Sequence, residues 1–284
     1  MTGFNKHIII VGSARSGTSW LAETIAKQHR YRSLFEPEHE FNTSKGHLLC
    51  DRLVTQKEDF EAGHAYLKKV FANRVDNNWI AQNSNRKWKR HLWPLIPKKF
   101  IIKFVRCNLA AHYMNQIFGI PVVHIIRNPY EVLHSQQRVN FPWLYDLRRF
   151  ANDKKLVAVL QKEFNFQFKP LENYTEIEKL ALRWSIENVV PVTIQQTENL
   201  NYRIIKHEDL RNNLELFLEL CKDFNLKPLP NIAEEYKKPS SKTHPKSVIR
   251  DEEAVFKKFS SEELSAINRI LDTFAVTMYP RQTF

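Results

Sequence analysis

The sequence predicts a parallel α/β sheet with helices on both faces. Three observations predict it. Short β-branched runs alternate with helical stretches along the whole length. A glycine-bracketed turn, Gly12–Gly17, joins the first run to the first helix. A later run, 122–126, meets its helix in the same way at Arg127-Asn128-Pro129.

The elements follow in order. Ile8–Val11 is a short apolar run suited to a buried strand. Thr18–His29 is helical, and Tyr31–Phe35 is a second strand. Lys57–Arg74 carries Phe60, Leu67, Val70 and Phe71 at helical spacing. Asn77–Lys99 is basic and loop-like. Phe100–Val105 and Val122–Ile126 are further buried strands, with a helix, Leu109–Phe118, between them. Pro129–Arg138 continues as helix, since proline suits a first turn. Tyr145–Glu163 and Thr175–Asn199 are long helical stretches. Thr175 with Glu178 forms a capping-box pair, and Pro191 should kink or divide the second stretch. Tyr202–Lys206 is a late strand, and Leu210–Phe224 a helix. Pro228–Pro245 is a loop rich in proline and lysine. Ser260–Phe274 is the last helix, with the capping pair Ser260 and Glu263.

Length and composition narrow the classes. The 284 residues suit one domain, 1–284, and 19 Phe, 9 Tyr and 6 Trp supply a core that excludes a disordered chain. Three separated cysteines give no zinc or disulfide spacing. The apolar run near the start is too short for a signal core, and no stretch reaches membrane-spanning length. A cytoplasmic protein is expected. The net charge of +12 predicts an anionic partner without naming it.

Only six glycines occur, and two bracket Gly12-Ser-Ala-Arg-Ser-Gly17. That GxxxxG spacing is the spacing of a phosphate cradle, in which backbone N–H groups and a helix N-terminus face an anion. A nucleotide kinase would carry lysine next. Thr18 stands there instead, and the cation is Arg15, inside the loop. Magnesium-dependent ATP chemistry is therefore the weaker reading.

Arg15-Ser16-Gly17-Thr18-Ser19-Trp20 resembles the 5′-phosphosulfate loop of sulfotransferases that use 3′-phosphoadenosine 5′-phosphosulfate (PAPS). Arg127-Asn128-Pro129, with Ser135 eight residues after the arginine, resembles the same family's 3′-phosphate segment. Arg127 alone would be an ordinary strand-end arginine. In this order and spacing the pair is identified with the family over residues 6–36 and 100–138, and more loosely over 200–275.

The resemblance implies a three-layer sandwich with a central parallel sheet, P-loop NTPase-like, and no metal requirement. It implies that Arg15 stabilises charge on the sulfuryl group and leaving phosphate. Ser16, Gly17, Thr18 and Ser19 would hold the 5′-phosphate, with Trp20 against the adenine. Arg127 and Ser135 would hold the 3′-phosphate. His207 stands where the family has an adenine-contacting tyrosine. Lys246 and Arg250, with Lys242, are candidates for completing the 3′-phosphate site.

The strand 100–108 lacks the histidine base of cytosolic members. Glu36, 21 residues after Arg15, matches the region where tyrosylprotein and bacterial-type members carry a glutamate base. Glu38, His39 and His112 are the alternatives. Lys103, Arg106 and His112 are candidate substrate-binding residues, along with Glu36. Segment 139–175 is expected to be a helical insertion on the acceptor side. The basic loop Arg86–Arg90 and aromatics including Trp88, Trp93, Phe141 and Trp143 are unmatched and would shape the acceptor pocket.

The function expected is sulfuryl transfer from PAPS to a hydroxyl or amine of a small molecule, lipid or glycan, releasing 3′-phosphoadenosine 5′-phosphate. Peripheral membrane contact is compatible with the charge. The alternatives are a P-loop small-molecule kinase and, more distantly, a nucleic-acid-binding protein motivated by the basic excess.

Overall fold

In the computed structural model, residues 4, 6–28, 31–75, 77–81, 99–194, 201–241 and 258–283 are described. Five strands, β1 (Ile8–Val11), β2 (Tyr31–Phe35), β3 (Lys99–Lys103), β4 (Val122–Ile126) and β5 (Tyr202–Lys206), form one sheet in the order β2-β3-β1-β4-β5. Every pairing is parallel, as in Ile9 against Ile102 and Ile10 against Val123.

The inner strands β1 and β4 are buried at every position because both faces are covered, while the edge strands β2 and β5 carry exposed Arg32 and Arg203. Ile9, Val11, Phe100, Ile102 and Val122 point to one side. They pack there with α2 (Glu61–Phe71) and the helix that follows β3, numbered α4 below. Ile8, Ile10, Ile101, Val123 and Ile125 point to the other, against α1 (Thr18–Ala26) and helices from the C-terminal third. This period-two division of each strand produces the three-layer sandwich.

The remaining helices are α3 (Asn78–Ala81), α4 (Ala111–Phe118), α5 (Pro129–Val139), α6 (Arg148–Asn152), α7 (Lys154–Phe164), α8 (Glu176–Thr193), α9 (His207–Asn212), α10 (Leu214–Asp223), α11 (Ile232–Lys237) and α12 (Ser261–Thr273). Helices α5 to α8 and α12 enclose a further apolar cluster around Trp184, Phe150 and Phe274. Both capping boxes form, at Thr175/Glu178 and Ser260/Glu263.

Several boundaries differ from the periodicity. The stretch 145–163 is two helices, because Asp153 is extended (φ −81°, ψ 98°) and its carboxylate accepts from the N–H groups of Lys155 and Leu156. The stretch 210–224 likewise divides at Asn213, whose side chain caps α10. Helix α8 runs through Pro191 to Thr193, so the proline does not divide it; its carbonyl receives Nε2 of His112 at 2.8 Å. The loop 228–245 contains α11, because Ile232 and Tyr236, one turn apart, both bury.

Candidate active site

Every strand delivers a residue of the site to the carboxyl edge of the sheet. Gly12 follows β1, Glu36 follows β2, Arg127 follows β4 and His207 follows β5; Lys103 closes β3. Open parallel sheets bind ligands at this edge. A cavity of about 600 Å³ lies here, with Arg15, Glu36, Lys103, Arg127 and His207 in its wall.

The loop after β1 is built for close approach. Gly17 has φ +87°, and a Cβ there would stand 2.3 Å from Cδ2 of His207. Gly12 is as tightly placed, with the Ile125 carbonyl 2.5 Å from any added Cβ. Gly17 is the N-cap of α1 and gives no side-chain cap. The first N–H groups of α1 therefore have no partner inside the helix, and they adjoin the cavity that Gly17, Thr18 and Ser19 line. Ser16 is different: it is fully buried beneath the loop and does not line the cavity.

Long-range contacts fix the loop. Asn188 of α8 donates to Ser13 Oγ at 2.8 Å, and Gln136 of α5 donates to the Ala14 carbonyl at 3.0 Å. Arg15 has φ +75° and its Nε donates to Ser135 Oγ on α5 at 2.9 Å. Arg127 Nη1 donates to the Arg15 carbonyl at 3.3 Å, while its Nε meets Glu131 one turn along α5 at 2.8 Å. Burial and the Arg127 charge both pull the Arg15 pKa below the ordinary guanidinium value. Two cations held this close favour an anion between or beside them.

At one end of the cavity, Trp20 is largely buried and its Nε1 donates to the Tyr236 carbonyl at 3.1 Å. The Arg211 guanidinium lies 4.9 Å from the Trp20 ring centroid, and His207 meets that ring edge-on at 6.0 Å. Burial, then the charges of Arg127 and Arg211, push the His207 pKa down to about 3, so its ring is neutral. Arg211, one turn after His207 on α9, was not singled out from the sequence. The i,i+4 spacing on the helix following β5 was its only signal.

At the other end, Lys103 Nζ lies 2.5 Å from Glu36 Oε1. Glu36 has φ +41°, so Arg15 and Glu36 both hold left-handed backbone that side-chain-bearing residues avoid. Glu36 N–H donates to the Lys103 carbonyl at 2.9 Å, which ties the two strand ends together. Glu38 is fully buried, and its Oε1 accepts from the N–H groups of Val105 (2.6 Å) and Arg106 (3.2 Å). Burial, reinforced by the Glu36 charge, raises the Glu38 pKa to about 7.

Arg106 lines the cavity, but its charge is committed. It is bound to Asp51 and, at 2.7 Å, to Glu40. Arg183, also buried, reaches Asp51 at 3.1 Å and Glu187 at 2.9 Å. Trp143 covers the pair, with the Arg106 guanidinium 4.8 Å from its ring centroid and that of Arg183 at 5.4 Å. From segment 139–175, Phe141, Pro142 and Trp143 reach the cavity, while Leu144, Phe150, Leu156 and Leu160 join the apolar cluster around Trp184 and Phe274.

His112 is not brought to this site. Its ring stacks on Tyr202 at 4.2 Å, away from the cavity wall. Lys242, Lys246 and Arg250, and the loop holding Arg86–Arg90, Trp88 and Trp93, lie outside the described residues.

No protein-family model matches the sequence, and no curated protein matches it. Among solved structures, the chain is similar to the sulfotransferase domain from the curacin biosynthetic pathway. That match has 17% identity and a TM-score of 0.47, covering 100% of this chain and 94% of that one. It is similar to mouse sulfotransferase SULT7A1 complexed with PAP, at 13% identity and a TM-score of 0.46, covering 98% and 87%. It is also similar to a sulfotransferase from Alicyclobacillus acidocaldarius, at 13% identity and a TM-score of 0.41, covering 95% of each chain.

Proposed function

We propose that the chain transfers a sulfuryl group from PAPS to a hydroxyl group of an acceptor. The observation that carries this reading is the direct contact of the two phosphate motifs. Arg15 of the glycine loop donates to Ser135, and Arg127 donates to the loop backbone, beside the Glu36–Lys103 pair.

The residues present fit the donor. The orphan N–H groups at the α1 N-terminus, with the hydroxyls of Thr18 and Ser19, suit a 5′-phosphate. Ser135 accepts from Arg15, which leaves its own O–H to donate to a 3′-phosphate alongside Arg127. His207, Arg211 and Trp20 offer a neutral ring and a flat cation to a base. When bound, PAPS supplies a sulfuryl group activated by a phosphate leaving group.

The chain's own groups then divide the work. Arg15 meets the negative charge that builds on the leaving phosphate; it does so as a fixed cation, since guanidinium does not give up its proton here. Glu36 accepts the proton of the attacking hydroxyl as that oxygen bonds to sulfur and the sulfur–phosphate oxygen bond breaks. Lys103 holds the Glu36 carboxylate at the cavity wall. Lys246 and Arg250 remain candidates for completing the 3′-phosphate site.

Calorimetric titration with 3′-phosphoadenosine 5′-phosphate tests the reading, together with transfer of labelled sulfate from PAPS. Tight binding and a sulfated product support it. Magnesium-dependent ATP turnover with no response to PAPS would replace it with a kinase reading.

A further inference from the structure

We infer that the acceptor is an uncharged alcohol whose apolar chain runs out of the cavity across Phe41 and Phe141. The inference rests on the transfer reading and names the substrate class of the same site.

Three observations carry it. The first is charge. The cations of the acceptor end, Lys103 and Arg106, already hold carboxylates: Glu36 for the lysine, Asp51 and Glu40 for the arginine. Glu38 adds a further acid beside them. Asp51 and Glu40 are shared with Arg183 and Arg149, so among the described residues the charges at this end pair with one another; an anionic acceptor must displace a carboxylate there and an uncharged one need not.

The second is the wall. Phe35 packs edge-on to Trp79 at 5.3 Å, Trp79 to His39 at 4.6 Å, and His39 to Phe41 at 6.0 Å. Phe141 stacks on Trp143 at 6.4 Å and 15°. Both aromatic groups line the cavity beside Glu36. They offer apolar area to the body of a ligand and few hydrogen bonds to a glycan.

The third is the rim. Four large apolar side chains are exposed among the described residues, and two of them, Phe41 (76%) and Phe141 (39%), line this same cavity. Exposed apolar groups gathered at a cavity mouth mark a binding surface. A donor and an acceptor share this cavity of about 600 Å³, and an acceptor hydroxyl held at Glu36 directs the rest of the molecule toward the exposed rim. Phe41 and Phe141 stand where that body emerges.

The test uses the full chain with PAPS and straight-chain primary alcohols from butanol to decanol, alongside glucose and 4-hydroxybenzoate. The value of kcat/KM should rise with chain length, by about fourfold for each methylene fully covered and less at the rim. Phe41→Ala and Phe141→Ala should each lower the rise per methylene. Calorimetry with 3′-phosphoadenosine 5′-phosphate should give both variants the wild-type affinity, which shows that they fold. Donor binding with a flat alcohol series, or with faster turnover of glucose or 4-hydroxybenzoate, overturns the acceptor inference alone. Loss of donor binding in the wild-type chain overturns the transfer reading and this inference with it.

Discussion

Arg15 Nε donates to Ser135 Oγ across 2.9 Å, joining two residues 120 positions apart. The bond places a cation from the β1 loop on a helix that follows β4. It also accounts for the pairing of the two motifs: neither residue makes this contact from its own segment.

Arg15→Ala should therefore reduce kcat by about 10²–10³-fold, the cost of removing one group aimed at developing charge. Arg15→Lys keeps the charge but loses the Nε contact, and should fall between. Ser135→Ala should weaken donor binding by about fivefold, as expected for one hydrogen bond. Steady-state kinetics and donor calorimetry separate the two effects. Wild-type kcat in Arg15→Ala would remove Arg15 from the chemistry.

Glu36→Gln retains the shape of the side chain and loses the proton acceptor. Turnover should drop by about 10²–10⁴-fold, while donor affinity stays at its wild-type value. Single-turnover sulfate transfer measures the first and calorimetry the second. Unchanged turnover would point to another base.

Gly17→Ala forces a side chain into left-handed backbone and against His207. The backbone conformation alone costs about 1–2 kcal/mol, and displacement of His207 disturbs the cradle. Thermal unfolding should show the lost stability, and calorimetry should show weaker donor binding. Pairing it with His207→Ala should relieve the clash without recovering the backbone cost. Full recovery in the double variant would mean that the φ of Gly17 carries no strain.

Glu38 should make stability fall as pH rises from about 5 to about 7. Its folded pKa is raised to about 7 from the ordinary carboxyl value of 4.5, so across that window the folded state keeps a proton the unfolded chain has released. The stabilisation is complete below the lower value and lost above the upper one. Glu187 on α8 is raised to about 7, chiefly by burial, and acts in the same direction. His7, His124 and His207, lowered by burial to about 4, 4 and 3, act in the opposite direction over the same range, so the comparison with a variant isolates Glu38. The wild type should lose melting temperature relative to Glu38→Gln as pH rises from about 5 to about 7, a drift read from the difference between the two proteins. An identical slope in both proteins would rule out Glu38 as its source.

The sequence by itself determined the five strands, the two capping boxes, the glycine loop with Arg15 inside it, and the positions of Glu36 and Arg127 at strand ends. Those features are local: apolar runs of four or five residues, a glycine spacing, a serine or threonine three positions before a glutamate. Only the tertiary structure decided which charges stay available. Arg106 has the same credentials in sequence as Lys103, yet it is locked to Asp51, itself shared with Arg183 from 132 residues away. His112 looked as suitable as His39, but it follows β3 on α4 and stacks on Tyr202. Glu36 and Glu38 are two residues apart; one faces a lysine at the cavity, and the other is buried on backbone N–H groups after β3. The balance of burial against pairing sets each group's role, and the pairing partners are brought together only when the sheet and its helices close.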